Sequence, residues 1–279
     1  MQVRLLTALQ NMETIEFKKL LREIGDSVHS MNTIAVGLSK LNIENMDIPE
    51  GLDISWKPKE PEISKNKARN YAEKAAIIYS VESFFEYLES VSENPFWSHN
   101  EINFRGDEKK ADRVYNFLNQ IPTITDEMAI LSELACHWRN KIVHASASKA
   151  KLANEKIGRI RQLKESVYEN YYHFDTDLAL VNYESKKITL KDSSTLITIL
   201  IKSARLIDEF FFKEFSLVKS LDTITTALYE KDDFIKITNQ QDSKKRKRQI
   251  LTFIQMSYPF LTDEHLNEII RNIELKLRP

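Results

Sequence analysis

Residues 65–95 read KNKARNYAEKAAIIYSVESFFEYLESVSENP. Ala68, Tyr71, Ala75, Ile78, Val81, Phe85 and Leu88 recur at intervals of three and four, the spacing that puts side chains on one face of an α-helix, and Pro95 stops the run. No glycine interrupts it, and the whole chain holds only 5 glycines and 7 prolines among 279 residues. So few turn residues suit long helices joined by few turns better than a sheet, which needs many. An all-α fold is expected, and the 42% hydrophobic content is enough to fill its core. Glu82 lies beside the apolar stripe, where a carboxylate needs a partner once buried.

Working outward, the segment from Thr14 to Leu41 carries Ile15, Leu20, Leu21, Ile24, Val28, Met31, Ile34, Leu38 and Leu41 at helical spacing and predicts a long helix, bent near Gly25. IPEGLDISWKPKEPEIS (48–64) holds Pro49, Pro58 and Pro61 and reads as an irregular connector. A short helix is expected within 107–120. Thr125, followed by Asp126 and Glu127, predicts the start of a further helix, with Ser146, Ser148 and Gly158 as break points that divide 125–172 into two helices.

DLALVNYESKKITLKD (177–192) alternates like a small β-hairpin turning at Tyr183–Lys187. Asp192 or Ser193 then caps an apolar helix over 195–215, which reads as core because Lys202, Arg205, Asp208 and Glu209 interrupt it, and which should pack against the 65–92 helix. The last 60 residues read as two or three short helices, the final one starting at Thr262. The expected organisation is an N-terminal helical arm and connector (1–60), a helical bundle (61–216) and a C-terminal helical extension (217–279).

The single cysteine, Cys136, excludes an intrachain disulfide and suits a reducing, cytoplasmic setting. No signal peptide or membrane span is expected. The net charge of −1 hides an asymmetry. From Arg139 to Lys164 the chain carries Arg139, Lys141, Lys149, Lys151, Lys156, Arg159, Arg161 and Lys164 against Glu155 alone, a local charge of +7 within an otherwise acidic protein. Such a stretch suits an anionic partner such as RNA or DNA, or else a solvated helix face. Lys244-Lys245-Arg246-Lys247-Arg248 offers further phosphate contacts on the same terms.

Inside that basic stretch lies ACHWRNKIVHASA (135–147). Asn140 and His144 stack four residues apart on a helix, and Arg139 sits about 140° round from His144, within reach of a shared ligand if the helix bends after it. An imidazole that titrates near neutrality, a permanent planar cation and an amide are the groups needed to cleave RNA without a metal. They would supply a base for the 2′-OH, a partner for the charged phosphorane and an orienting polar group.

Arg139-Asn140-Lys141-Ile142-Val143-His144 resembles the R-x4-6-H signature of the HEPN superfamily, whose common form has asparagine directly after the arginine. The resemblance covers about 64–216. It implies a HEPN-like bundle and a metal-independent endoribonuclease, usually a homodimer with both motifs in one cleft, leaving a cyclic phosphate and a 5′-OH. His144 would be the acid or base, Arg139 the phosphate and transition-state ligand, and Asn140 the polar companion, with no cofactor. Many prokaryotic members are toxins or antiphage effectors that cut tRNA or other RNA, some released by an antitoxin or defence-system partner. One toxin branch carries a modifiable tyrosine two residues after the histidine, where this chain has Ser146.

Lys141, Lys149, Lys151, Arg159, Arg161, Lys244, Lys245 and Arg246 are the expected RNA contacts, and Glu82 and His137 the expected site-lining residues. His137 and His144 lie seven residues, about 10 Å, apart along a helix, too far to share one ion, so no metal site is expected. Cys136 reads as packing. No P-loop, G-x-G-x-x-G or C-x-x-C pattern occurs, which leaves nucleotide-driven, dinucleotide and zinc readings without support. The competing reading is a non-catalytic helical module that binds nucleic acid or a partner protein.

Overall fold

The computed structural model describes residues 13–41, 50–52, 59–97, 101–144, 151–213 and 217–276, with 217–220 as backbone alone. Among them are twelve helices and no strand: α1 (Ile15–Ser39), α2 (Pro61–Ser92), α3 (Lys110–Leu118), α4 (Asp126–Val143), α5 (Asn154–Gln162), α6 (Lys164–Asn170), α7 (Thr176–Ser185), α8 (Leu190–Lys213), α9 (Leu217–Tyr229), α10 (Asp232–Thr238), α11 (Ser243–Ser257) and α12 (Asp263–Lys276). None is long and apolar enough to cross a membrane.

The fold is all-α, and the hairpin expected over 177–192 is absent. Asp175 caps α7 by accepting from the Leu178 N–H at 2.9 Å, and Lys186 ends it in the left-handed region (φ 58°, ψ 31°). The alternation was misleading. Leu178 and Val181 face solvent, while Ala179, Leu180 and Tyr183 are buried at helical spacing. The cap of α8 also differs from expectation. Thr189 Oγ1 accepts from the Asp192 N–H at 3.1 Å and the Thr189 N–H donates back to Asp192 Oδ2 at 3.0 Å. This reciprocal pair is a capping box, with Asp192 inside the first turn and Thr189 at the boundary.

Pro61 opens α2 instead of closing the connector, because proline lacks only an N–H that the first helical turn leaves unpaired anyway. The stripe expected on α2 holds in its last turns, where Val81, Phe85 and Leu88 are buried. In its first turns the face is rotated: Ala72, Ala76 and Ile77 are buried, whereas Tyr71 is 74% exposed. The described residues of 125–172 make three helices, since α5 and α6 part at Leu163 and Gly158 stays inside α5, while the expected breaks at Ser146 and Ser148 lie outside the described residues. Among the described residues the last 60 hold three whole helices, α10 to α12, and most of α9, and Thr262 caps the last, its Oγ1 accepting from the His265 N–H.

The chain forms two compact units, Met1–Leu20 with Glu86–Gly106 and Ala204–Pro279, and Leu21–Phe85 with Asp107–Ser203. The first has an aromatic core in which Phe96 meets Tyr258 at 4.9 Å and Phe260 at 5.3 Å, edge to face. There the buried Tyr87 hydroxyl donates to the Ala204 carbonyl at 2.9 Å, and the Asp208 carboxylate accepts from the Thr14 N–H and hydroxyl. In the second unit α4 is buried from Met128 to Trp138. Ser132 meets Ser203 of α8, and Ser193 of α8 donates to the Glu73 carbonyl of α2. The expected packing of α8 on α2 is therefore present.

Candidate functional site

Helix α4 forms because Asp126 and Glu127 complement its N-terminal dipole and its apolar residues face neighbours almost all round. His144 is the C-cap, with extended backbone (φ −113°, ψ 96°), and its N–H still donates to the Asn140 carbonyl at 2.9 Å. Leaving helical geometry there carries the imidazole round the end of α4 and closes the angle that separates positions 139 and 144 on an ideal helix.

The result is a cluster around one guanidinium. Arg139 Nη1 donates to Asn140 Oδ1 at 3.1 Å and lies 3.4 Å from His144 Nε2. Its Nε faces Glu82 of α2, with which it forms an ion pair. A guanidinium can only donate, so a hydrogen bond across this gap would need the lone pair of His144 Nε2 as its acceptor. Arg139 and Asn140 are half-buried and His144 is exposed, so the cluster is open to a large ligand.

His137 does not join it. One turn after Glu133 on α4, it is buried, with Nε2 3.3 Å from Glu133 Oε1. Glu133 is 1% exposed, and its Oε2 accepts from Lys156 Nζ at 2.6 Å. Lys156 also lies over the Tyr115 ring at 3.7 Å. Donor atoms of Asp112, Glu133 and His137 come within 4.8 Å of one another, so these three could hold a cation. Asp112, on α3, was not among the residues the sequence singled out. The only trace of the grouping in the sequence is the E-x3-H spacing of Glu133 and His137.

The expected cationic face is only partly free. Lys141 Nζ donates to the Tyr183 carbonyl at 2.6 Å and lies over the Tyr183 ring, and burial lowers its pKa. Arg159 pairs with Asp126 at 2.8 Å and Arg161 with Asp177 at 3.1 Å. Lys151 is exposed, and Lys149 lies outside the described residues. Lys244 and Lys245 are exposed at the start of α11, and Arg246 donates to the Gln240 carbonyl. Cys136 is fully buried, its thiol donating to the Ser132 carbonyl, and burial pushes its pKa up, which removes it as a nucleophile and leaves packing as its role.

No protein-family model matches the chain, and no curated protein or solved structure matches it.

Proposed function

We propose that the chain is a metal-independent endoribonuclease of HEPN type, a toxin or antiphage effector that cuts tRNA or other RNA in the cytoplasm. One observation carries the reading: a single guanidinium is positioned by Glu82 while it touches both Asn140 and His144. A scissile phosphate arriving at the Arg139 Nη groups draws them off His144 Nε2 and frees that lone pair to take the 2′-OH proton. Arg139 then faces the charge that grows on the phosphorane, and Asn140 orients a phosphate oxygen or the sugar. Attack of the 2′-oxygen on phosphorus breaks the bond to the 5′-oxygen, which takes up a proton from water and departs as a 5′-OH, and leaves a 2′,3′-cyclic phosphate.

In this reading two copies bring their motifs into one cleft. The exposed Tyr71 and Tyr79 of α2 and Val143 at the end of α4 supply uncovered apolar surface that a second copy would bury. An antitoxin or another defence protein is a further partner of the same reading. A second reading is a non-catalytic module that binds nucleic acid or a partner protein, and the internal partners of Lys141, Arg159 and Arg161 weigh against RNA as its ligand.

Incubating total tRNA in EDTA with wild-type and His144→Ala protein separates the two. The ribonuclease reading expects cyclic-phosphate ends from the wild type and cleavage reduced about 100-fold or more in the variant, with RNA binding retained. Equal cleavage by both proteins, or cleavage that stops in EDTA while circular dichroism shows the fold intact, sinks it. RNA binding without cleavage by either protein supports the module.

A further inference from the structure

We propose that Asp112, Glu133 and His137 form a binding site for one divalent transition-metal ion of the zinc class, separate from the Arg139–His144 cluster. Glu133 and His137 lie one helical turn apart on α4, so their side chains stack. Glu133 Oε1 and His137 Nε2 are 3.3 Å apart. Two ligands each about 2.1 Å from a tetrahedral ion are about 3.4 Å from one another, so this pair already has the spacing of one coordination edge. Helix α3 brings the Asp112 carboxylate close by, with one donor atom from each of the three residues within 4.8 Å of the others, so a small rotation of Asp112 would complete the set.

The surroundings favour a cation there. Glu133 and His137 are 1% and 4% exposed, and two carboxylates this close repel each other where water cannot screen them. Lys156 offsets one negative charge but takes the far oxygen, Oε2, and leaves Oε1 turned to His137. In that position it would hold the carboxylate in orientation behind a bound ion, as outer partners of metal ligands do.

The buried imidazole has no hydrogen-bond partner for Nδ1 among the described residues, so its single polar contact is the one through Nε2 to Glu133, and Nε2 is the nitrogen that would face the ion. Imidazole with two carboxylates suits Zn²⁺ and its neighbours better than Ca²⁺ or Mg²⁺, which prefer oxygen alone, and the half-buried Asp112 leaves a side open for a water as fourth ligand. His137 and His144 stand about 10 Å apart along the chain axis, so this ion would link α3 to α4 without reaching the cleavage chemistry.

The test is isothermal titration of the chelator-stripped full chain with Zn²⁺, alongside the visible absorption of the Co²⁺ form. The expected result is one ion per chain, tetrahedral-type Co²⁺ absorption, and binding about 100-fold weaker in both Asp112→Asn and His137→Gln. Circular dichroism checks each variant's fold. If His137→Gln does not fold, the half-buried Asp112→Asn decides alone. No saturable binding by wild type, or binding that survives Asp112→Asn, overturns the proposal. Because the readout is the metal itself, this result and RNA cleavage by the Arg139–His144 cluster stand or fall separately.

Discussion

Glu82 of α2 is the ion-pair partner of Arg139 on α4, and it takes the Nε edge of the guanidinium while leaving Nη1 to Asn140 and His144. An arginine held by its inner nitrogen presents its outer edge in one orientation, which suits recognition of a phosphate. Glu82→Ala should therefore lower kcat for RNA cleavage about 10-fold to 100-fold with little change in KM, because misplacing a positioned group by an ångström costs on that scale. Both side chains are partly exposed, so global stability should change by less than about 1 kcal/mol. Single-turnover kinetics with urea unfolding read both quantities. An unchanged kcat would remove the positioning role.

Glu133 is the anchor of the buried polar cluster, bonded on one oxygen to Lys156 and facing His137 with the other. Removing it strands an ammonium in a poorly solvated place. Glu133→Leu should destabilise the protein by roughly 3–5 kcal/mol. Adding Lys156→Met should recover more than half of that, since the stranded charge goes too. Urea denaturation of the two variants measures it, and additive losses would show that the pair does not act as a unit.

Lys141 sits within the motif but points to Tyr183, by a hydrogen bond to the carbonyl and by a cation–π contact at 3.8 Å. Lys141→Met should cost about 1 kcal/mol of stability and leave the salt dependence of RNA binding unaltered. The exposed Lys151 is the contrasting position. If it meets a phosphate, Lys151→Ala should reduce the slope of log K against log salt by about 0.7 for single-stranded RNA. A reduced slope for Lys141→Met instead would reverse the two assignments.

Asp208 is the clearest source of pH-dependent stability. Burial pushes its pKa up to about 7, Glu16 and Glu13 add to the rise, and the two hydrogen bonds from Thr14 oppose it. The folded protein thus holds this proton more tightly than the unfolded chain does. Stability that is complete below about pH 4 is lost as pH rises through about 7, by at most roughly 4 kcal/mol. Asp208→Asn should flatten the stability profile and gain on wild type between pH 5 and pH 8. Parallel profiles in urea unfolding would assign the dependence to another group.

Periodicity identified the two long helices α1 and α2, because a repeat of three and four residues is a local property of any chain with one wet and one dry side, and cap residues marked the starts of α4 after Thr125 and of α12 at Thr262. Periodicity also gave the buried face in the last turns of α2. It failed where burial does not follow one stripe. The alternation in 177–192 belongs to a helix with Leu178 and Val181 in solvent, and Tyr71, counted toward the core, is exposed.

The composition of the candidate site was equally local. Arg139, Asn140 and His144 lie within six residues, so the chain itself brings them near one another, and Glu82 drew notice only as a carboxylate beside an apolar face. That Glu82 meets Arg139, that His144 leaves the helix to face the guanidinium, and that Asp112 joins Glu133 and His137 depend on how α2, α3 and α4 pack. Packing among α4, α5 and α7 likewise turned Lys141, Arg159 and Arg161 toward Tyr183, Asp126 and Asp177. Sequence sets which charges exist and which face they start from. Only the tertiary structure decides their partners, because an ion pair or a ligand set is a distance between helices that no spacing along one helix contains.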